Sequence, residues 1–205
     1  GIVSAVMLGL GRALGETMAV AMVLSGSDVI TFNVVGSQNP NTIASTIALN
    51  LAYSYAHDSA KRALLIDGNL RTPSLHEHFG VPREKGLTDL VEEDMNIEEV
   101  LLKINLDEAE LSLHGKQATP SFHFLPAGRP VPNPTIFYQS AEFQVRLDKL
   151  RRTFPFIIID SSPLVRHPET SLLAARTDGV ILVIKHEATS WEVVEVSKKY
   201  LQMTG

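Results

Sequence analysis

Cysteine is absent from the 205 residues of this chain. That excludes a disulfide framework, thiolate metal centres and cysteine nucleophiles, and it fits a reducing compartment. A basic excess is absent too: 18 Lys and Arg stand against 23 Asp and Glu, for a net charge of −5. Such a chain has no general attraction to nucleic acid or anionic lipid. Nucleic-acid binding would need a local basic patch interleaved with aromatics, and the sequence holds none. No internal repeat is visible. Hydrophobic residues make up 44% and charged residues 20%, which rules out a disordered or fibrous chain. The length suffices for one α/β domain with a sizeable core and an extra segment.

Long apolar runs are confined to the start. The first 26 residues, GIVSAVMLGLGRALGETMAVAMVLSG, hold only two charges, Arg12 and Glu16. Their i, i+4 spacing allows them to pair on one helix face. The length suits a membrane span, although two mid-span charges cost about 2.5–3.5 kcal/mol each on an insertion scale. It is a poor signal peptide, because it lacks a basic start and Arg12 interrupts the apolar region. The expectation is an apolar helix, membrane-type or interfacial. LGLGRALGETMAVAMV resembles the GRAxGET region in the last transmembrane helices of phosphate ABC-transporter permeases. That resemblance ends near Gly26, and no transport function is carried to the rest. The composition divides the chain into an apolar segment, 1–26, and a second domain, 27–205.

After Ser25-Gly26-Ser27-Asp28, strand and helix patterns alternate. Strands are predicted over Val29–Val35, Arg62–Asp67, Phe122–Leu125, Phe156–Asp160 and Gly179–Ile184. Helices are predicted over Thr42–His57, Ser74–Phe79, Leu87–Val91, Asn96–Ile104, Ser140–Thr153, Pro168–Arg176 and Ser190–Met203. Thr42 is the expected N-cap of the first of these, with an apolar face through Ile43, Ile47, Leu51 and Tyr55. Leu113–Pro120 and Gly128–Thr135 read as mobile or surface segments. The alternation predicts a parallel sheet covered by helices on both faces, with ligands bound at the carboxyl ends of the strands.

Three features fall at those ends. The first is VITFNVVGSQNPNTIAST, Val29–Thr46, which has the layout of a phosphate-binding P-loop: apolar strand, turn-rich loop, then a helix. Such a loop needs glycines to wrap phosphates with backbone N–H groups, and a lysine to meet the β/γ-phosphate charge. Ile43 stands at the glycine position and Ala44 at the lysine position. Ser45 or Thr46 would supply the hydroxyl for Mg²⁺, and the helix start near Thr42 offers N–H groups to an anion. The second feature is Asp160, which ends FIIID as a Walker B strand requires. The third is Asp67, which ends ALLID and is followed by Gly68-Asn69-Leu70-Arg71.

RALLIDGNLRTPSLHEHFGVPREKGLTDLV, FLPAGRPVPNP, LDKLRRTFPFIIIDSSP and ARTDGVILVIKHEAT resemble, in order and spacing, the cytoplasmic domain of bacterial tyrosine kinases. The resemblance runs from Asp28 to Gly205 and implies a P-loop fold of the MinD/ParA-like group. It implies ATP and Mg²⁺ as cofactors, and a role in capsule or exopolysaccharide biosynthesis. Asp67 matches the acid thought to act on Mg²⁺ and the acceptor hydroxyl, and Asp160 the Walker B acid. Ser45 and Thr46 match the end of Walker A, so Thr42, Ser45, Thr46 and Arg71 are the candidate nucleotide contacts. Ser45, Asp67 and Asp160 are the candidate metal ligands. The implied partners are a membrane polysaccharide co-polymerase or transmembrane activator and further copies of the chain, with no nucleic acid. The implied location is cytoplasmic, at the inner face of the membrane.

The departures from the family are as informative. Asn69 stands where a second acid is usual. The tyrosine-rich tail is missing, since the four tyrosines, Tyr53, Tyr55, Tyr138 and Tyr200, are scattered. The oligomerisation motif expected before the first strand is replaced by the apolar segment. Losing the phosphate-facing lysine costs roughly 10²–10³-fold in rate or more. The leading expectation is therefore a degenerate kinase-like domain with a regulatory or docking role and weak nucleotide binding. One alternative is an active tyrosine kinase that takes a lysine from elsewhere, such as Lys61 or Lys85. Another is a membrane-anchored partition-like ATPase or scaffold. His76, His78, His167, Lys149, Arg151 and Arg152 read as surface or loop residues, and Trp191 as packing.

Overall fold

The computed structural model describes residues 19–21, 29–35, 41–59, 62–105, 121–184 and 189–204. The strands are β1 (Ala19–Ala21), β2 (Val29–Val35), β3 (Ala63–Asp67), β4 (Leu102–Asn105), β5 (Ser121–Leu125), β6 (Phe156–Asp160) and β7 (Gly179–Ile184). The helices are α1 (Asn41–Ser59), α2 (Leu75–His78), α3 (Leu87–Glu92), α4 (Ile97–Val100), α5 (Pro134–Gln139), α6 (Ala141–Thr153), α7 (Glu169–Ala174) and α8 (Trp191–Thr204). One sheet runs β1-β7-β2-β6-β3-β5-β4. Its five central strands are parallel, as the alternation predicts. Both edge strands, β1 and β4, are antiparallel to their neighbours.

Side-chain alternation splits the core into two layers. Leu64 and Ile66 of β3 join Ile157 and Ile159 of β6 on one face, packed against Leu90, Phe137, Phe143, Leu147 and Leu173. Ala63 and Leu65 join Ile158, Phe122 and Phe124 on the other, beneath Ala44, Ile47, Ala48, Leu51 and Ala52 of α1. Each fully buried Leu, Ile or Phe contributes roughly 1.5–3 kcal/mol by leaving water. The same parity places Asp67, two residues beyond Leu65, on the α1 face. Asp160, two beyond Ile158, lies there too.

Three expectations are corrected and one is borne out. Asn96–Ile104 is not one helix: α4 ends at Val100 and β4 follows. Leu102 and Ile104 are half-buried while Lys103 and Asn105 are exposed, a period of two that a helical reading overlooks. The segment Gly128–Thr135 is a surface stretch as expected, with Arg129, Pro130, Pro132 and Asn133 exposed. Its end is ordered by Asn133, whose Oδ1 accepts the Thr135 and Ile136 N–H groups and starts α5 with Pro134 at its first position. Thr42 is not the cap of α1, because the helix already begins at Asn41. Within the apolar segment, Ala19–Ala21 is a strand on the edge of β7, not helix. The remainder of 1–26 lies outside the described residues, as does Leu113–Pro120. Among the described residues, no helix is long and apolar enough to cross a membrane.

The chain between Pro82 and α3 docks tightly on the carboxyl end of β5. Leu87 N–H donates to Pro126 O at 2.8 Å and Thr88 N–H to Ala127 O at 3.1 Å. A Cβ on Gly86 would lie 2.2 Å from Pro126 O, so only glycine fits. Gly86→Ala is expected to destabilise the fold by about 2 kcal/mol or more, read as a fall in the urea midpoint at unchanged slope.

Candidate functional site

Asp67 and Asp160 are direct partners in the register of β3 and β6. Adjacent strands lie about 4.8 Å apart, so the two carboxylates leave the sheet side by side. Both are buried, at 0% and 3% exposure. Ser45, on α1 and 115 residues from Asp160, donates its hydroxyl to Asp160 Oδ2 at 2.5 Å. Asp67 accepts the Asn69 N–H on Oδ1 and the Leu75 N–H on Oδ2, each at 3.2 Å.

Burial, reinforced by the charge of Asp67, pushes the Asp160 carboxyl up to about 8. Burial pushes Asp67 up to about 6, against the lowering effect of its backbone hydrogen bonds and the Arg83 charge. Two carboxylates with raised pKa in one dry corner form a site short of positive charge. A hydroxyl and two carboxylates are hard oxygen donors, which suit Mg²⁺ with water completing its shell. Among the described residues, no group of three or more His, Cys, Asp or Glu gathers at metal-binding distance.

The peptide between the two acids is held from both sides. Gly68 N–H donates to Asp160 O at 2.8 Å, and the buried Tyr138 hydroxyl donates to Gly68 O at 2.6 Å. A Cβ on Gly68 would lie 2.7 Å from Ile159 Cγ2. Asn69 is the hub of the turn that follows. Its Nδ2 donates to Thr72 O at 2.9 Å, and its Oδ1 accepts from Ser162 Oγ at 2.7 Å and from Thr72 N–H at 3.2 Å.

The other candidates are placed differently. Arg71 is paired with buried Glu169. Burial alone would raise that carboxyl, but the Arg71 hydrogen bond and the neighbouring positive charges hold it low. Thr46 is exposed on α1, and the Thr42 side chain lies outside the described ones. Ala44, at the lysine position, is 1% exposed and packed in the apolar layer. Lys85 is exposed, and Lys61 lies outside the described residues. His167 reaches Glu169 at 3.9 Å, and burial lowers its pKa. Sequence reasoning missed Tyr138, Ser162 and Glu169. Nothing in FYQS or RHPET marks a partner 70 or 98 residues away.

Two outcomes follow from this geometry. Folded Asp67 and Asp160 hold protons that the unfolded chain, with carboxyls near 3.8, has released. Their contribution to stability is therefore full below about pH 4 and lost as pH rises through 6 and 8. In metal-free buffer, Asp160→Asn is expected to raise the melting temperature at pH 8, by less at pH 5, and to leave it nearly unchanged below about pH 4. Restoring an acid with Asn69→Asp removes the donor to Thr72 O and adds a third carboxylate. It is expected to cost roughly 1–3 kcal/mol in chemical denaturation at pH 8.

No protein-family model matches the chain. It is 28% identical over 191 residues to EpsB of Ralstonia nicotianae, which carries a tyrosine-kinase name. That match covers 93% of this chain but 23% of EpsB, so the chain spans under a quarter of that relative. A match of this length reaches into the first 26 residues. The chain is 29% identical to the tyrosine-protein kinase CpsD of Streptococcus pneumoniae, over 89% of this chain and 74% of CpsD. Among solved structures, the kinase domain of VpsO superposes with a TM-score of 0.72 at 28% identity, covering 87% of this chain and 80% of that one. By sequence along most of its length and by fold, the chain is similar to proteins named as bacterial tyrosine-protein kinases and to the solved VpsO kinase domain.

Proposed function

We propose that the chain is a kinase-like P-loop domain of capsule or exopolysaccharide biosynthesis that binds Mg²⁺-nucleotide weakly and turns it over slowly or not at all. Its role is regulatory or docking, at the inner membrane face, against a transmembrane activator or polysaccharide co-polymerase and other copies of itself. The observation that carries this reading is Ala44, an apolar side chain 1% exposed at the start of α1, where a phosphate-facing lysine is needed. The names of EpsB, CpsD and VpsO support the kinase-like part.

Ser45, Asp160 and Asp67 would hold Mg²⁺, which when bound neutralises phosphate charge and orients the terminal phosphoryl group. Ser45 and Asp160 are already joined and need no rearrangement to share a cation. Asp67 lies beside them, free of any side-chain ion pair among the described residues, and is placed to accept a hydroxyl proton. The residues present thus supply metal ligands and a base. The side chains at Ile43 and Ala44 supply neither the close backbone approach nor the charge that a triphosphate requires.

Titration with a fluorescent ATP analogue, with and without Mg²⁺, tests the reading. The parent is expected to bind weakly. The Ile43→Gly, Ala44→Lys double variant is expected to gain Mg²⁺-dependent affinity of roughly tenfold or more. Tight Mg²⁺-dependent binding by the parent, with tyrosine phosphorylation on incubation, overturns the non-catalytic reading in favour of an active kinase.

A further inference from the structure

Three arginines surround the carboxyl ends of β3 and β5, and two of them are neutralised. Arg71 is paired with Glu169, and Arg129 with Asp89 and Glu93. Arg83 is the exception. Its Nε donates to Gly128 O at 2.9 Å, and its guanidinium forms no ion pair among the described residues. Among the described residues, four of its five N–H donors have no protein acceptor.

Its position is fixed. Ile66 of β3 and Leu125 of β5 are register partners, so Asp67 stands level with Pro126, and Gly128 lies two residues beyond. The chain carrying Arg83 is fastened to that ledge by the Leu87 and Thr88 hydrogen bonds and by the Gly86 contact. Gly86 is held in turn by its N–H bond to Asp89 Oδ2 at 2.9 Å. The Arg83 charge acts on Asp67 and lowers its carboxyl.

We propose that Arg83 is the cationic half of a phosphomonoester-binding subsite on the β5 side of the Asp67–Asp160 pair, supplying the positive charge that Ala44 does not. The inference rests on the nucleotide-site reading above and names the group that gives its residual phosphate grip. The charge balance favours it. Mg²⁺ on the two carboxylates leaves the site neutral, and Arg83 then faces no anion of the protein. A terminal phosphate of a nucleotide satisfies it, and so does the phosphate of an aryl ester. The planar guanidinium matches either one bidentately.

Calorimetric titration of the full chain with Mg-ATP, Mg-ADP and phenyl phosphate separates these sources. It is run on the parent, Arg83→Ala and Arg83→Lys, each checked for an unchanged melting temperature. Arg83→Ala is expected to weaken Mg-ATP by roughly 10- to 100-fold and leave Mg-ADP nearly unchanged, with Arg83→Lys restoring part of the loss. A loss confined to phenyl phosphate upholds the subsite and assigns it to the acceptor side. If the parent binds phenyl phosphate through Arg83 but no nucleotide, the subsite stands and the nucleotide-site reading falls. Equal binding of every ligand to parent and Arg83→Ala overturns the inference and leaves the nucleotide reading intact. A parent that binds none of the three overturns both.

Discussion

Two carboxylates that must be buried side by side constrain the rest of this molecule. Asp67 and Asp160 end adjacent parallel strands in direct register, on the same face, and neither reaches water. Removing a carboxylate from water is costly unless hydrogen bonds or a cation replace the lost hydration. The protein supplies part of that replacement: N–H groups of Asn69 and Leu75 to Asp67, and the Ser45 hydroxyl to Asp160. The remainder is left unmet, as the raised pKa values record. Burial that disfavours the ionised pair in the metal-free protein is also what a divalent cation relieves on binding. The seating of α1, the glycine at 68 and the Tyr138 hydroxyl all serve to keep that corner closed and its two acids level.

The distribution of positive charge around this corner separates metal binding from phosphate binding. Arg71 and Arg129 lie near the strand ends, but each is held by an acid that is 2% exposed. A guanidinium tied to a buried carboxylate is costly to detach, because the partner would be left as an uncompensated charge. These arginines fasten loops and are poorly available to a ligand. With no lysine at residue 44, the site is rich in metal ligands and poor in phosphate ligands.

Much of this was legible in the sequence, for definite reasons. The central strands were readable because buried parallel strands are unbroken apolar runs, and FIIID and ALLID end in their acids. Parity along those runs also put both acids on one face. Asn96–Ile104 misled because Ile97, Val100 and Leu101 keep a helical spacing that overlaps the two-residue alternation of Leu102 and Ile104. The turn residues of Gly128–Thr135 suggested mobility. They are tied to the rest of the fold by Asp89, 40 residues earlier, which binds the Arg129 side chain. Tyr138 and Glu169 carried no local signal, since the bond of one and the ion pair of the other depend on how distant loops meet over the sheet.

The two substituted positions of the site share a physical character that bears on how it works. Ala44 belongs to a close-packed apolar layer with Ala48, Leu65 and Ile158. Asn69 uses its amide as both donor and acceptor, reaching Thr72 and Ser162 at once. A carboxylate accepts but cannot donate, so an acid at 69 could not make the bond to Thr72 O. Neither position holds an unsatisfied group left behind by a lost interaction. The amide at 69 adds no third negative charge to a corner that contains two buried acids, whereas the alanine at 44 brings no cation to it. Both substitutions remove a charge, but only the one at 69 spares the two acids a like-charged neighbour.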